Sequence, residues 1–263
     1  MTPEHYEKTW AKCTNKHIAS FVETKDKFES SSRGIKWLQM QEYSKKGCVY
    51  VSNGEFIYED LKELNKIKDS KVLIVGGGPS ASDFDWDADD YDYIISLNHF
   101  YKSEKLKGKK VDIAFVGNEV DTNSRDFLKY YDNNDTLIAI EDLEHRAEHV
   151  KNLQKKYVDR TFLCSSRIQC KSLGAGPKLI TFALSLGAKQ VDVIGIDGVS
   201  KDYDANSVQD HAFEQNKTYD KKYSYEIHLH HYRTLNFYIE NTFPNQTVNN
   251  LGAGHPYNCW SHI

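Results

Sequence analysis

The run Lys71 to Ser80, K-V-L-I-V-G-G-G-P-S, constrains this chain more than any other stretch. Val72, Leu73, Ile74 and Val75, with the Lys71 stem, form a short β-prone apolar run of the kind found in a buried parallel strand. Gly76, Gly77 and Gly78 then predict a tight strand-to-helix turn, followed by Pro79 and Ser80. Without a Cβ, such a turn lets backbone N–H groups approach a phosphate. The helix after it would aim its positive end at the same anion. The expectation is a nucleotide-binding α/β domain beginning near residue 70. The run is neither G-x-G-x-x-G nor G-x-x-x-x-G-K-[ST], because Pro79 and Ser80 stand where those motifs continue differently. A plain β–α turn would read the same way.

The remaining chain has room for such a domain. Its 263 residues suffice for one large α/β domain, or for a domain with an extension. Net charge is −4, from 34 basic and 38 acidic residues, so no electrostatic footprint for nucleic acid exists. No apolar run reaches the ~18 residues of a membrane span. The opening M-T-P-E-H-Y-E-K lacks the apolar core of a signal peptide, so a cytoplasmic protein is expected. Cys13, Cys48, Cys164, Cys170 and Cys259 are scattered and contain no C-x-x-C, which predicts neither a zinc site nor a disulfide framework.

Residues 1–70 read as a polar, mostly helical N-terminal extension, with helical segments around Pro3–Glu23 and Ile57–Lys66. Between them, a short strand Gly47–Ser52 ends at the turn Asn53-Gly54. From residue 71 the chain alternates. Strands are expected at Val72–Val75, Tyr93–Leu97, Val111–Val116, Thr136–Ile140, Arg160–Cys164 and Val191–Gly195. Helices are expected at Ser80–Trp86, capped by Ser80 or Ser82, and at Leu143–Tyr157, Lys178–Leu186 and Tyr232–Asn241. This order predicts a Rossmann-like, mainly parallel sheet with helices on both faces. Residues 199–226 are polar and tyrosine-rich and read as a small lid. Gly76–Ser80, Asn98, Gly117, Asn118 and Asp197 all fall just after strands, where such sheets bind ligands.

Four separated blocks resemble one family. Val75-Gly-Gly-Gly-Pro-Ser80 is similar to a G-N-G-P-S start, with Gly77 in place of the asparagine. Tyr91-Asp-Tyr-Ile-Ile-Ser-Leu-Asn-His-Phe-Tyr101 with Lys107-Gly-Lys-Lys110 resembles F-D-V-x-R-x-N-Q-F-Y followed by G-K-K. Gly174–Gly187 and Val193-Ile-Gly-Ile-Asp197 resemble S-G, ten residues, L-G, then L-S-G-I-D, with Ala175 where the family has serine. The histidine-rich Ile227–His231 precedes the expected helix. Together, in this order, they resemble the bacterial sialyltransferases of glycosyltransferase family 42, which cap lipooligosaccharides. The resemblance covers residues 71–243, about two thirds of the chain. The glycine-rich start is also similar to a wider group that includes 6-hydroxymethylpterin diphosphokinase-like proteins.

The resemblance implies a GT-A-like variant of the α/β fold over residues 71–263, acting in lipopolysaccharide or capsule biosynthesis. It implies metal-independent, inverting transfer of sialic acid or a related nonulosonic acid from a CMP donor to a glycan. A base must deprotonate the acceptor hydroxyl and the leaving phosphate must be stabilised. Histidine suits the first role, since it titrates near neutrality. His228, His230 and His231 are the candidates. Counting back from the expected helix places the family histidine at Ile227 or His228, and counting forward from Asp197 places it at His231; His228 is preferred because the helix count crosses no variable loop. The family's leaving-group tyrosine is matched by Tyr203, with Tyr219, Tyr223 and Tyr225 as alternatives; Val199 stands where its first tyrosine would be.

Gly76, Gly77, Gly78, Pro79, Ser80, Asn98, Gly117, Asn118, Ala175, Gly176 and Asp197 are the candidates for holding the donor. Asparagine offers both donor and acceptor groups for a nucleotide. As ordinary folding features, Asn98 and Asn118 would be turn residues, Asp197 a helix cap and any one histidine a surface group.

No cofactor is implied beyond the nucleotide-sugar donor, and no metal is expected. The D-x-D of Asp202-Tyr-Asp204 and the run Asp83, Asp85, Asp87, Asp89, Asp90 and Asp92 would be the ligands of hard cations otherwise. That chemistry belongs to the alternative reading, a Mg²⁺-dependent pyrophosphokinase-like enzyme with Asp197 among its ligands. A non-catalytic nucleotide-binding protein is the third. The implied partners are the donor and a glycan acceptor. No nucleic acid is expected, and at most peripheral contact with the inner face of the membrane. A homo-oligomer is compatible with all three readings.

Overall fold

A computed structural model of the chain describes residues 48–52, 55–59, 62–117, 119–141, 152–153, 156–157, 160–164, 174–202, 211–214 and 225–262. The first elements are β1 (Cys48–Ser52) and β2 (Glu55–Glu59), an antiparallel hairpin around the expected Asn53-Gly54 turn. Residues 57–59, expected to open a helix, therefore belong to a strand. Only α1 (Lys62–Asn65) is helical there.

The main sheet follows. It contains β3 (Lys71–Val75), β4 (Tyr93–Leu97), β5 (Ile113–Phe115), β6 (Leu137–Glu141), β7 (Thr161–Cys164), β8 (Gln190–Ile194) and β9 (Thr247–Asn250). Their order across the sheet is β7-β6-β5-β4-β3-β8-β9, and every adjacent pair is parallel. Among the described residues the sheet is thus wholly parallel, as the alternating sequence predicts. The chain starts in the middle at β3, winds outward to β7, and returns to the other side of β3 with β8. The carboxyl ends of β3 and β8 form the point where winding direction changes, the preferred ligand position in such sheets.

Register shows why the central strand sequences are mostly apolar. Val193, Ile74, Ile95, Ile113 and Leu137 are paired neighbours and make one row across the sheet. They pack under α4 (Ala175–Ser185) and α5 (Tyr225–Thr242) through Leu179, Ile180, Phe182, Leu235 and Ile239. On the other face, Leu73, Val75, Ile94, Ala114 and Ile138 pack against Phe127 and Tyr131 of α3 (Arg125–Asn133). Alternate residues of each strand meet helices on opposite faces, so neither face tolerates a polar stripe. Ser124 caps α3 by accepting the Phe127 N–H.

Several boundaries differ from expectation. The helix after the glycines, α2, is a single turn, Ser80–Asp83, and Pro79 rather than a serine precedes it without a side-chain cap. α4 starts three residues before Lys178, since Pro177 has no N–H to lose in a first turn. α5 starts at Tyr225 instead of Tyr232. The expected helix Leu143–Tyr157 lies largely outside the described residues, and the segment before β1 lies wholly outside them. The sequence reading named neither α3 nor β9.

Candidate functional site

The loops after β3 and β8 interlock. Gly76 N–H donates to Ile194 O (2.7 Å), and Gly78 N–H donates to Gly195 O (2.7 Å). The two main chains approach so closely that no side chain fits between them. A Cβ on Gly76 would lie 2.2 Å from Gly195 O, and one on Gly195 would lie 2.3 Å from Gly76 O. Gly195 also has φ +69°, a left-handed conformation open to glycine. Two of the three amides expected to face a phosphate are therefore committed to β8. The glycines at 76, 78 and 195 are required by loop-to-loop packing. The single turn of α2 also offers little of the aligned dipole expected of a longer helix.

A buried polar network fastens this crossing. Ser80 Oγ donates to Asp197 Oδ1 (2.6 Å) and accepts from Gly195 N–H (2.9 Å). Ser80 N–H donates to Asp197 Oδ2 (2.9 Å), and Asn258 Nδ2 donates to Asp197 Oδ1 (3.0 Å). Asn258 Oδ1 in turn accepts from Trp260 N–H (2.9 Å). Asp197 is 1% exposed. Burial pushes its carboxyl above the usual range, opposed by the Ser80 hydroxyl and amide and the Asn258 amide. The network joins the carboxyl ends of β3, β8 and β9. Ser80 and Asp197, both donor-binding candidates, are each turned toward the other.

His228 belongs to the same neighbourhood. With Tyr232, Leu235 and Ile239 it forms the buried stripe of α5, spaced by four, three and four residues. The stripe presses His228 toward the β8 loop. A Cβ on Gly198, the residue after Asp197, would sit 3.2 Å from His228 Nδ1 and 2.4 Å from Cys259 Sγ. Tyr232 stacks on Trp260, with centroids 5.3 Å apart and planes at 14°. His228, His230 and His231 are thus helical residues, not a loop before a helix. Gly176 joins from the α4 start: Ile196 fills the space between Gly176 and Gly76, its Cγ1 lying 3.1 Å and 3.0 Å from their respective added Cβ positions. Ala175 is the first residue of that helix.

A second corner forms at the ends of β4 and β5. Asn98 adopts φ +49° and is buried. Its N–H donates to Phe115 O (2.6 Å), its Oδ1 accepts from Gly117 N–H (2.9 Å), and its Nδ2 donates to Glu119. Asparagine tolerates left-handed backbone better than most residues, so the turn and the side-chain clamp come from one residue type.

Residues 211–214 connect the two corners. Ala212 N–H donates to Gly77 O (2.8 Å), and the His211 ring lies over Gly77, so that an added Cβ would be 2.1 Å from its Cε1. Phe213 is buried among Val75, Ala81 and Phe100 in the core. Glu214 meets His99 Nδ1 at 2.8 Å and Lys102 Nζ at 3.8 Å. This part of the expected lid is docked, and Tyr225 and Glu226 are helical.

Asn118, Tyr203, Tyr219, Tyr223 and Asp204 lie outside the described residues, and nothing is described for the His230 and His231 side chains. Among the described residues, no group of three or more histidine, cysteine or acidic side chains could hold a metal ion, and no helix is long and apolar enough to cross a membrane.

Sequence reading missed His99, His211, Glu214, His255 and Asn258. The last two sit in the turn after β9. Tyr257 N–H donates to His255 Nδ1 (3.2 Å), so His255 carries its proton on Nε2 and donates to Asp83 Oδ2 (2.9 Å). The glycine- and proline-rich string Leu251–Asn258 was a readable turn signal after a strand. His211 and Glu214 carried none.

No family model matches the chain, and no curated protein matches it. Several solved structures are similar. One is a variant of the sialyltransferase CstII in complex with CMP, at 20% identity and TM-score 0.47, covering 69% of this chain and 81% of that one. Another is CstII from Campylobacter jejuni in complex with a substrate analogue, CMP-3FNeuAc, at 18% identity and TM-score 0.45, covering 70% and 82%. The monofunctional α-2,3-sialyltransferase Cst-I from Campylobacter jejuni is similar at 15% identity and TM-score 0.46, covering 77% and 80%. At such identities and scores no residue's role transfers from these proteins to this chain.

Proposed function

We propose that this protein is a glycosyltransferase of the sialyltransferase kind, transferring sialic acid or a related nonulosonic acid from a CMP donor to a glycan. The observation that carries the reading is the position of His228. The buried stripe of α5 sets its ring against Gly198, one residue from Asp197 and on the rim shared with Gly76–Ser80. A titratable imidazole thus lies where a doubly wound sheet binds its ligand. The four sequence blocks supply the substrate class.

His228 takes the proton of the acceptor hydroxyl as that oxygen bonds to the anomeric carbon of the donor. The bond from that carbon to the phosphate oxygen breaks, and CMP leaves with the electron pair. One displacement inverts the anomeric configuration. Asn98 at the second corner and Tyr203 in the lid are the proposed polar contacts to the nucleotide and its phosphate. Asp197 acts indirectly, by holding the β3 and β8 loops together through Ser80. Its carboxylate oxygens already accept three hydrogen bonds, which counts against the pyrophosphokinase-like alternative, where it would be a metal ligand.

The test is CMP binding and donor turnover by the full chain with EDTA present. His228→Ala and His228→Gln are expected to lower kcat at least 100-fold while CMP affinity stays within threefold. Full turnover in both variants removes the base from His228. Loss of turnover in EDTA with recovery on Mn²⁺ removes the metal-free route. Mg²⁺-dependent binding of ATP without binding of CMP overturns the donor class.

A further inference from the structure

We infer that Trp260 is a positioning residue for His228, setting the depth at which α5 holds that imidazole against the end of β8; this rests on the reading of His228 as the base. Topology creates the need for such a residue. β8 and β9 are parallel neighbours, so α5 between them returns the chain to the amino end of the sheet. Its first turns, with His228, therefore stand at the carboxyl end. Leu235 and Ile239 anchor the later turns in the core over the sheet. The early turns meet the segment that follows β9.

That segment contains the 3-10 helix Cys259–His262, and its main chain is fastened to the buried carboxylate. Cys259 N–H donates to Asp197 O (2.9 Å). Trp260 N–H donates to Asn258 Oδ1 (2.9 Å), and Asn258 Nδ2 donates to Asp197 Oδ1 (3.0 Å). The Trp260 indole stacks on Tyr232, with centroids 5.3 Å apart and planes at 14°. Tyr232 lies one turn along α5 from His228, their ring centroids 6.1 Å apart. Trp260 thus joins the Asp197 network by its amide and the base-bearing helix by its ring. Gly198 shows how close the fit is. At φ +78° it carries no side chain, and an added Cβ would meet Cys259 Sγ at 2.4 Å, His228 Nδ1 at 3.2 Å and Tyr232 Cε2 at 3.3 Å. Groups from α5 and from the 3-10 helix converge on one residue of the β8 loop, so a shift of Tyr232 moves the imidazole relative to that loop. A stacked aromatic pair has a preferred geometry that aliphatic packing lacks, and Trp260 imposes it on Tyr232.

The experiment follows CMP release from CMP-linked sialic acid by the full chain, CMP affinity by calorimetry, and the His228 imidazole Cε1–H signal by NMR, assigned by its loss in His228→Gln. The variants are Trp260→Ala, Trp260→Phe, and Trp260→Ala combined with His228→Gln. Misplacing a catalytic group by about 1 Å can cost about 100-fold in rate. Trp260→Ala is therefore expected to lower kcat about 10- to 100-fold, to leave CMP affinity within about twofold and to displace the His228 signal. Trp260→Phe, which keeps a ring on Tyr232, restores kcat to within about threefold of wild type. In the His228→Gln background the alanine substitution costs less than about twofold, because no base is left to misplace. An equal cost in both backgrounds would mean that Trp260 only stabilises the fold, and the proposal fails. It fails too if Trp260→Ala leaves kcat or the His228 signal unchanged. Full turnover in His228→Gln overturns the base assignment and this inference with it, an outcome distinct from the others. If Trp260→Ala does not unfold cooperatively, Trp260→Leu, apolar but without a ring, takes its place in every comparison.

Discussion

Ser80→Ala removes one oxygen and two buried hydrogen bonds. The hydroxyl donates to the Asp197 carboxylate at 2.6 Å and accepts from Gly195 N–H at 2.9 Å. A hydrogen bond to an ionised group contributes about 1.5–3 kcal/mol, and a buried amide left without an acceptor costs about 1–3 kcal/mol. Their sum is about 2.5–6 kcal/mol, a large share of the roughly 5–15 kcal/mol by which folded domains are stable. Urea unfolding should show that loss as a shifted midpoint at unchanged slope, with Tm falling by roughly 5–24 °C. The pH dependence follows from Asp197. Its folded pKa is raised, so its protonated form is favoured by folding, and that contribution is lost as pH rises through the folded value. The Ser80 hydroxyl opposes the rise, so removing it moves the folded pKa higher still. The variant therefore loses more than wild type as pH increases, and its deficit should be larger at pH 7 than at pH 4. A deficit below about 1 kcal/mol, or one that shrinks toward neutral pH, would refute the assignment of Ser80 and Asp197 as the fastening of the switch point.

Gly195→Ala combines φ +69° with a Cβ placed 2.3 Å from Gly76 O, so the two loops must separate. A loss above about 4 kcal/mol is expected, read as failure to give cooperatively unfolding protein; a Tm within 3 °C of wild type would contradict the interlock. Glu214→Gln removes the ionic contact to His99 and Lys102 at a cost of about 1 kcal/mol. Trypsin should then cleave at Lys217, Lys221 or Lys222 several-fold faster, while equal rates would show that the contact does not hold 211–214 in place. Cys259 is fully buried, and burial pushes its thiol to about 12. Iodoacetamide at pH 8 should leave it unmodified in native protein and label it after unfolding, as mass spectrometry of its peptide reports; rapid native labelling would contradict the packing around Gly198.

The sheet was legible because parallel strands buried on both faces must be apolar at nearly every position, and Val72–Val75, Tyr93–Leu97 and Val191–Ile194 are. β9 escaped for a physical reason: at the sheet edge, Thr247–Asn250 alternates exposed and half-buried positions and carries two asparagines. The α5 start was misplaced because tyrosine and histidine are mediocre helix formers. The stripe His228, Tyr232, Leu235 and Ile239 extends the helix through packing that propensity does not register. Of the site, strand ends were readable and partners were not. Asn98 and Asp197 were correctly placed after strands, but nothing local announces that Asn258 lies 61 residues along the chain from Asp197 and yet bonds its Oδ1. His211 stood in a segment without periodicity, and its place over Gly77 shows only in the structure.

The glycines carry a more general consequence for reading such turns. A glycine-rich turn after a buried strand invites a phosphate, because glycine permits close approach. Here Gly76, Gly78 and Gly195 are approached by each other's main chain, and the amides of Gly76 and Gly78 are committed there. The motif therefore specifies first that β3 and β8 meet at the reversal of winding, and that crossing would be needed whatever the ligand. What distinguishes one ligand from another must then come from side chains brought to the rim from elsewhere, as the proposed function has it for His228 from α5 and Asn98 from the β4 end. The same G-x-G-P-S start can accordingly serve proteins of different chemistry. Replacing Gly76, Gly78 or Gly195 should accordingly cost stability whatever the ligand.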